Sequence, residues 1–235
     1  MLISRTSVQP EFQAGKGNAM LLLRKFPIPL GASGLALILL LFAAPAQAEQ
    51  AVIGEVVQRI GNATVVQEGK PRMLDPGVEL RLADTVFTGA QAKVEIRLAD
   101  GSLLSVGPGS ELQLSTFHQR LGRGDAALFD GLIELVRGII RATLAPAAEA
   151  REFDIRTRAA VAAARSTQFV VVDDREGSAV FVIEGRVEVR GRLTGEDVLL
   201  DPGFGTDVPL GGPPSPPSQW GAARVDRVLE LTTLP

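Results

Sequence analysis

The chain of 235 residues contains no cysteine and no tyrosine, and it has one tryptophan and one histidine. Without cysteine it can form no disulfide and carry no lipid-modified cysteine, so an exported form must rely on its hydrophobic core. His118 falls in a stretch that we predict to be a polar loop, which favours a solvated side chain over a histidine triad or a multi-histidine metal site. Aromatic residues make up 5% of the chain, which argues against a carbohydrate-binding platform of exposed rings.

Residues 1–48 are predicted to be a leader with a secretory signal peptide, whose true start is possibly Met20. The basic pair Arg24-Lys25 precedes an apolar run at 28–42, and Ala46-Gln47-Ala48 has the small-x-small pattern of a cleavage site. The run is shorter than the roughly 20 residues that span a bilayer. We therefore expect cleavage before Glu49, no stable membrane span afterwards, and a periplasmic or secreted protein. An uncleaved anchor is the alternative.

The charge of the mature chain argues against a nucleic-acid partner. Cleavage before Glu49 leaves 187 residues, long enough for one domain with a hydrophobic core, with 20 basic and 26 acidic side chains. The resulting net charge of about −6 gives no overall attraction to a phosphate backbone. The sequence specifies no oligomeric state.

Residues 49–208 are predicted to form one β domain of many short strands. Val94, Ile96 and Leu98 alternate with charged residues, which is typical of a half-buried strand, and Asp100-Gly101 directly after them indicates a hairpin turn. The same rhythm predicts strands at 52–57, 63–67, 85–88, 103–106, 112–114, 153–157, 160–164, 167–172, 179–184, 186–190 and 197–200. Such a pattern fits a sandwich-like or a β-solenoid-like arrangement equally well.

The segment between these strand groups, 116–152, has a less regular pattern. Residues 117–124 are polar and are predicted to be a flexible loop. Residues 132–140 are apolar, and Gly138 together with the β-branched residues favours a strand over a helix there. Gly185 joins two alternating runs without a gap, so we expect a sharp bend or room for a crossing strand at that position.

A proline- and glycine-rich linker is predicted at 209–218, followed by a C-terminal tail at 219–235. Gly211-Gly212-Pro213-Pro214-Ser215-Pro216-Pro217 cannot hold ladder hydrogen bonds or a helix. In the tail, Trp220, Val225 and Val228 have spacings compatible with one apolar helical face. We predict a short helix with Ser218 as its N-cap that packs back on the domain.

An ordered set of these segments resembles the FecR family, the periplasmic domain named after the ferric citrate regulator of bacterial iron signalling. The matching elements are Gly54 and the strands after it, 80–89 with Thr88-Gly89, 92–102 with Asp100-Gly101-Ser102, 108–114, 138–141, 157–169 and 180–189. The resemblance implies the fold and the envelope compartment, with envelope signalling as an analogy. The family's arginine-glycine-threonine element stands here as Arg165-Ser166-Thr167, and Arg158 replaces its usual proline.

The candidate interaction surface consists of Arg156, Arg158, Arg165 and Trp220. The arginines form a basic cluster in an otherwise acidic protein, which Arg186, Arg190 and Arg192 join if their strands are neighbours; the alternative is a solvated strand face paired with glutamates. Trp220 marks either an interface or a ring that packs onto the domain.

No catalytic, metal or cofactor site is predicted. Asp173-Asp174 and Glu176-Gly177 superficially resemble a calcium loop, but they lack its order of carboxylates and are interpreted as a hairpin turn. We therefore predict an exported, non-catalytic binding or signalling module of the bacterial cell envelope whose partner is another envelope protein. The alternative is a structural or carbohydrate-binding envelope module.

Overall fold

The computed structural model describes residues 52–121, 127–146 and 153–235. Within them lie 17 strands and one helix, so the predicted mainly β fold with a short C-terminal helix is confirmed. The elements are β1 (Val52–Ile60), β2 (Ala63–Gln67), β3 (Lys70–Met73), β4 (Glu79–Arg81), β5 (Thr85–Thr88), β6 (Lys93–Leu98), β7 (Leu103–Val106), β8 (Glu111–Leu121), β9 (Ala127–Thr143), β10 (Phe153–Arg156), β11 (Ala160–Ala164), β12 (Gln168–Asp173), β13 (Gly177–Glu184), β14 (Val187–Gly191), β15 (Asp197–Leu200), β16 (Phe204–Pro209), β17 (Ser218–Gln219) and α1 (Ala222–Thr232).

The strands pair in two ladders that share the long strand β9. The first ladder has the order β4-β1-β6-β7-β9-β12-β13-β16-β17. The second has the order β3-β2-β5-β8-β9-β10-β11-β14-β15. Residues 127–137 of β9 pair in the second ladder and residues 138–143 in the first. The described strands therefore form one open, hydrogen-bonded network that changes ladder within β9.

Gly138 marks this change of ladder. Its φ of +100° is a conformation that L side chains rarely adopt. A Cβ at this position would lie 2.3 Å from the Ser110 hydroxyl oxygen, which accepts a hydrogen bond from the Ile139 amide at 3.0 Å. Glycine therefore lets β9 pass close to the segment between β7 and β8 and continue in the other ladder.

The two ladders face each other across one main hydrophobic cluster. Val94, Ile96 and Leu98 on β6 are 0%, 0% and 2% exposed, as their alternation predicted. The cluster also contains Val65 and Val189 of the second ladder. All pairings of the described strands are antiparallel except that of β9 with β10, whereas the successive coils of a parallel β-helix pair in parallel. Of the two arrangements left open by the sequence, the structure therefore has the sandwich-like one.

Two local predictions from the sequence are wrong. Residues 117–121 are not a loop but the end of β8, because β9 offers them a partner: the backbone of His118 pairs with that of Asp130. Ser218 is not an N-cap but belongs to β17, where it pairs with Gly205. The helix begins after Gly221, with no side-chain cap.

The other boundaries remain predictions. Residues 1–48, the predicted leader, lie outside the described residues. In the described part of the chain no helix is both long and apolar enough to cross a membrane.

Candidate interaction surface

The four residues of the predicted surface do not come together. Arg158 precedes β11 and Arg165 follows it, and the five residues of this strand alone span roughly 16 Å. Arg156 lies at the end of β10, where its backbone pairs with Val161 of β11. Trp220 belongs to the tail, after β17. Proximity along the chain did not predict proximity in space, because an extended strand separates its two ends.

Arg158 is part of a buried polar network. Its Nε donates to Oδ2 of Asp173 at 2.8 Å, and the Asp173 side chain is fully buried. The other carboxylate oxygen accepts a hydrogen bond from the Ser178 hydroxyl at 2.8 Å, and this hydroxyl lies 2.7 Å from that of Thr157. Because a buried carboxylate is costly without compensating charge and hydrogen bonds, the Arg158 side chain stabilises the fold at this point.

Residues 174–176 form the turn between β12 and β13, within the segment predicted to be a hairpin turn. The Asp174 Oδ1 accepts hydrogen bonds from the amides of Glu176 at 2.9 Å and Gly177 at 3.3 Å. These contacts are those of a turn closed by an aspartate side chain. No group of three or more His, Cys, Asp or Glu side chains within residues 52–121, 127–146 and 153–235 is placed to hold a metal ion.

Arg165 lines a shallow groove of about 560 Å³ on the outer face of the second ladder. On β11 the residues Ala160, Ala162 and Ala164 point into the core, so Val161 and Ala163 face outwards and form its floor. The small floor residues leave a depression between longer side chains on either side. The groove is lined by Asp154, Val161, Ala163, Ala164, Arg165, Arg186, Glu188, Arg190 and Leu199.

The charged side chains of the groove are paired but exposed. Arg186 Nε lies 2.8 Å from Asp201 Oδ1, and these side chains are 71% and 58% exposed. Arg190 Nη2 lies 2.7 Å from Glu188 Oε1, with 57% and 46% exposed. Such surface pairs contribute only about 0–1 kcal/mol. A carboxylate of a binding partner can therefore replace the internal one at little cost.

The sequence indicated part of this groove. Arg186 and Arg190 were expected to join Arg165 only if their strands were neighbours, and β11 does pair with β14. The exposed Leu199 on β15, 56% accessible, was missed, because the preceding turn gives no sign of which face of that strand is open. Arg192 does not line the groove; its guanidinium donates to the Thr157 carbonyl at 2.9 Å.

Residues 84–188, which include most of the groove, match the family described as FecR protein. This segment is FecR-like. This match confirms the resemblance that the ordered motifs predicted.

Two crystal structures of a "putative anti-sigma factor" from Parabacteroides distasonis ATCC 8503, at 2.50 Å and 1.65 Å resolution, are similar to this chain. Each is 21% identical with a TM-score of 0.51, and the similarity covers 62% of this chain. The chain spans less than two thirds of their length, 63% and 64%. At this identity the likeness shows a shared fold alone. No curated protein matches the chain.

Two FecR motifs meet at the ladder crossing beside the groove. Ser166, which stands where the family has glycine, has a φ of +46°, so the left-handed turn is formed although serine replaces glycine. The Thr167 hydroxyl lies 2.6 Å from the Arg165 carbonyl and 3.2 Å from that of Arg186. Gly185 has a φ of +83°, and a Cβ there would lie 2.7 Å from the same hydroxyl. The predicted bend at Gly185 is therefore a crossing from the first ladder to the second.

Trp220, beyond the matched segment, is buried, only 9% exposed. Its ring stacks on Phe181 with centroids 5.0 Å apart and planes inclined by 20°. The Arg224 guanidinium covers the ring at 3.5 Å from its centroid. The structure thus places this ring in a second hydrophobic cluster on the outer face of the first ladder, with Ile139, Val170, Ala179, Phe181 and Val228.

Proposed function

We propose that this protein is an exported, non-catalytic binding or signalling module of the bacterial cell envelope, and that another envelope protein binds to the groove on the second ladder. The FecR-like segment supports a regulatory role, and the predicted signal peptide supports export. The groove carries the proposal: it combines exchangeable surface ion pairs, a floor of small residues and an exposed leucine, and most of its lining lies within the segment that matches the family.

The arrangement of the groove favours an acidic, partly apolar segment as its ligand. Arg165, Arg186 and Arg190 can present guanidinium groups to carboxylates in fixed, two-pronged geometry. Leu199 offers apolar surface at the groove wall, where it is 56% exposed. Charge complementarity of this kind sets association rate and partner choice more than raw affinity.

The alternative, a structural or carbohydrate-binding module, has less support. Carbohydrate recognition uses exposed aromatic rings, and the single tryptophan of the chain stacks on Phe181 under Arg224. With one histidine and no cysteine, the chain offers neither a cysteine nucleophile nor more than one imidazole base, which supports a non-catalytic role.

Charge reversal in the groove tests the proposal. A variant with Arg165→Glu and Arg190→Glu should retain its circular dichroism spectrum and lose capture of the partner from envelope extracts. Capture by the parent protein should weaken as salt rises, because surface charges are screened over about 10 Å at 0.1 M. Arg158 is left unchanged, since its substitution would leave Asp173 buried and unpaired.

The control carries Arg72→Glu and Arg97→Glu. Arg72 lies on β3, at the opposite edge of the second ladder, and Arg97 lies on β6 of the first, where it is 54% exposed. The net charge change is therefore the same at a distance from the groove. If groove variant and control capture the same proteins equally well, the groove is a solvated face and the proposal fails.

A further inference from the structure

The outer face of the first ladder is divided into a polar and an apolar part, and the tail covers the apolar part. Val170 of β12 and Ala179 and Phe181 of β13 point away from the main core. Trp220 and Val228 of the tail pack on them. An apolar face of this kind would otherwise be exposed to water.

The backbone under the tail is shaped to receive it. A Cβ at Gly205 would lie 2.4 Å from Trp220 Nε1, and a Cβ at Gly107 would lie 2.4 Å from Ile139 Cγ2 and 2.8 Å from the Leu231 carbonyl oxygen. Both glycines lack a positive φ, so the space, rather than the backbone conformation, requires them. The ring and the end of α1 therefore approach the sheet more closely than would be possible if any residue other than glycine stood at positions 205 and 107.

Side chains of the sheet hold the far end of the tail. The Lys93 ammonium donates to the carbonyls of Glu230 and Thr233, where it also complements the helix dipole. Arg141 donates to the Thr233 hydroxyl at 3.3 Å. Burial lowers the pKa of Arg141, and the negative charge of Glu95 acts in the opposite direction. Together with the glycines, these contacts make a receptor surface for the tail from several strands that are distant in sequence.

The chain reverses its direction once between β16 and the tail. Gly211 has a φ of +79°, and the Gly212 amide donates to the Pro209 carbonyl at 3.0 Å. The segment then returns beside β16, with a hydrogen bond from the Ser215 amide to the Asp207 carbonyl at 2.9 Å. Residues 213–217 contain four prolines, which favour an extended chain with a reach of about 3.1 Å per residue.

We propose that the receptor surface on the first ladder also binds the tail of a second copy of this chain, so that two chains exchange their tails in a closed dimer. The fit is given by the observed contacts, because the second copy presents the same tail to the same glycines, Phe181 and Lys93. Opening the turn at Gly211 would let the proline segment, which runs extended beside β16, lead away from its own domain. Exchange of identical elements is a low-cost route to dimers.

At low concentration the tail should remain on its own domain, since a short linker gives it an effective concentration in the millimolar range. Deleting Pro213–Pro217 removes that advantage. From the turn at Gly212, whose amide donates to the Pro209 carbonyl, the chain must return along four residues of β16, roughly 14 Å, to place Ser218 beside Gly205. The shortened chain cannot span this distance. The proposal therefore predicts that the deletion variant is a dimer.

Light scattering after size exclusion gives the mass, and the single tryptophan reports the docking of the tail. We expect a doubled mass with the blue-shifted emission of a buried ring for the deletion variant, and a monomer when Trp220→Ala is added to it. A monomeric deletion variant with the emission of a solvated ring would overturn the proposal.

A second measurement tests the proposal even if the deletion variant does not fold. Full-length chain with Trp220→Ala has a weakened tail, so a dye-labelled peptide of residues 218–235 should bind it at least tenfold more tightly than it binds the parent chain. Equal binding to both chains, or none, contradicts the proposal. The peptide could bind tenfold more tightly while the deletion variant folds but stays monomeric. That pair of results would show that the surface binds helices in general, and it would likewise overturn the proposed exchange of tails between two copies.

Discussion

At the scale of the residue, the environment of each arginine decides what it does. Arg158 and Arg190 look alike in the sequence, as basic residues beside β-strands. In the structure, Arg158 pairs with a fully buried carboxylate, and Arg190 pairs with a glutamate that is 46% exposed. Removal of the first leaves a buried charge without its partner, whereas removal of the second leaves a charge in water.

We therefore expect Arg158→Ala to lower the free energy of unfolding by about 1–3 kcal/mol, because it leaves the Asp173 carboxylate short of a charged hydrogen-bond donor. The matched change Arg190→Ala should cost at most about 1 kcal/mol. Urea denaturation of both variants measures the difference. Equal losses would show that Asp173 finds another donor.

Gly185 and Gly101 provide a second comparison between residues. Both have a positive φ, +83° and +84°, so alanine should cost about 1–2 kcal/mol at either position. At Gly185 its Cβ would also press on Thr167 at 2.7 Å, while at Gly101 the nearest atom is 3.8 Å away. We therefore expect Gly185→Ala, but not Gly101→Ala, to lose about 1–3 kcal/mol more of unfolding free energy. A denaturation midpoint no lower than that of Gly101→Ala would refute the steric argument.

At the scale of the element, the alternation of apolar and charged residues predicted local features: the position of a strand, its buried face and the turn after it. The segment at 92–98 gave both the position of β6 and its buried face, and Asp100-Gly101 gave the turn that follows, in which the Ser102 amide donates to Asp100 Oδ1 at 2.8 Å. β3 was missed, because its four residues are all exposed and one is proline. The pairing of β11 with β14 could not be predicted either, since it depends on two ladder crossings that lie between them.

The tail also shows that pairing between distant segments could not be predicted from local sequence patterns. Its helix was predicted from the spacing of apolar residues, but the start at Ala222 was not, because β17 takes up Ser218 by pairing with β16. The groove was predictable only in part: sequence composition singled out the arginines, and the fold selected which of them share a surface.

Arg224 and Arg227 test the docking of α1. Both lie on the exposed side of the helix, but Arg224 alone covers the Trp220 ring and pairs with Asp207. Arg224→Ala should weaken the docking by about 0.5–1 kcal/mol and shift tryptophan emission to longer wavelength with greater quenching by acrylamide. Arg227→Ala changes helix propensity equally and serves as the control. The same spectrum for both variants would mean that the cation contributes nothing to docking.

At the scale of the whole molecule, the sandwich presents two different outer faces. On the first ladder, the tail covers the apolar part of that face. On the second, the groove with its exposed ion pairs is open. A binding module with this division would use the open groove for its partner and the tail to protect the other face.

The proposed export of the protein makes a direct prediction about its N-terminus. The signal pattern before Glu49 predicts that the protein recovered from the periplasm or the medium begins at this residue. Mass spectrometry of the intact protein measures this mass. Recovery of the full leader on the exported protein would indicate an anchor instead of a cleaved signal.

The most direct test of groove binding in the envelope is site-specific photocrosslinking in living cells. A photoreactive amino acid replaces Ala163 on the groove floor in one variant and Arg72, on the far edge strand β3, in another. The proposed function predicts a covalent adduct with an envelope protein from position 163 and none from position 72. No adduct from position 163, or the same adducts from both positions, would contradict it.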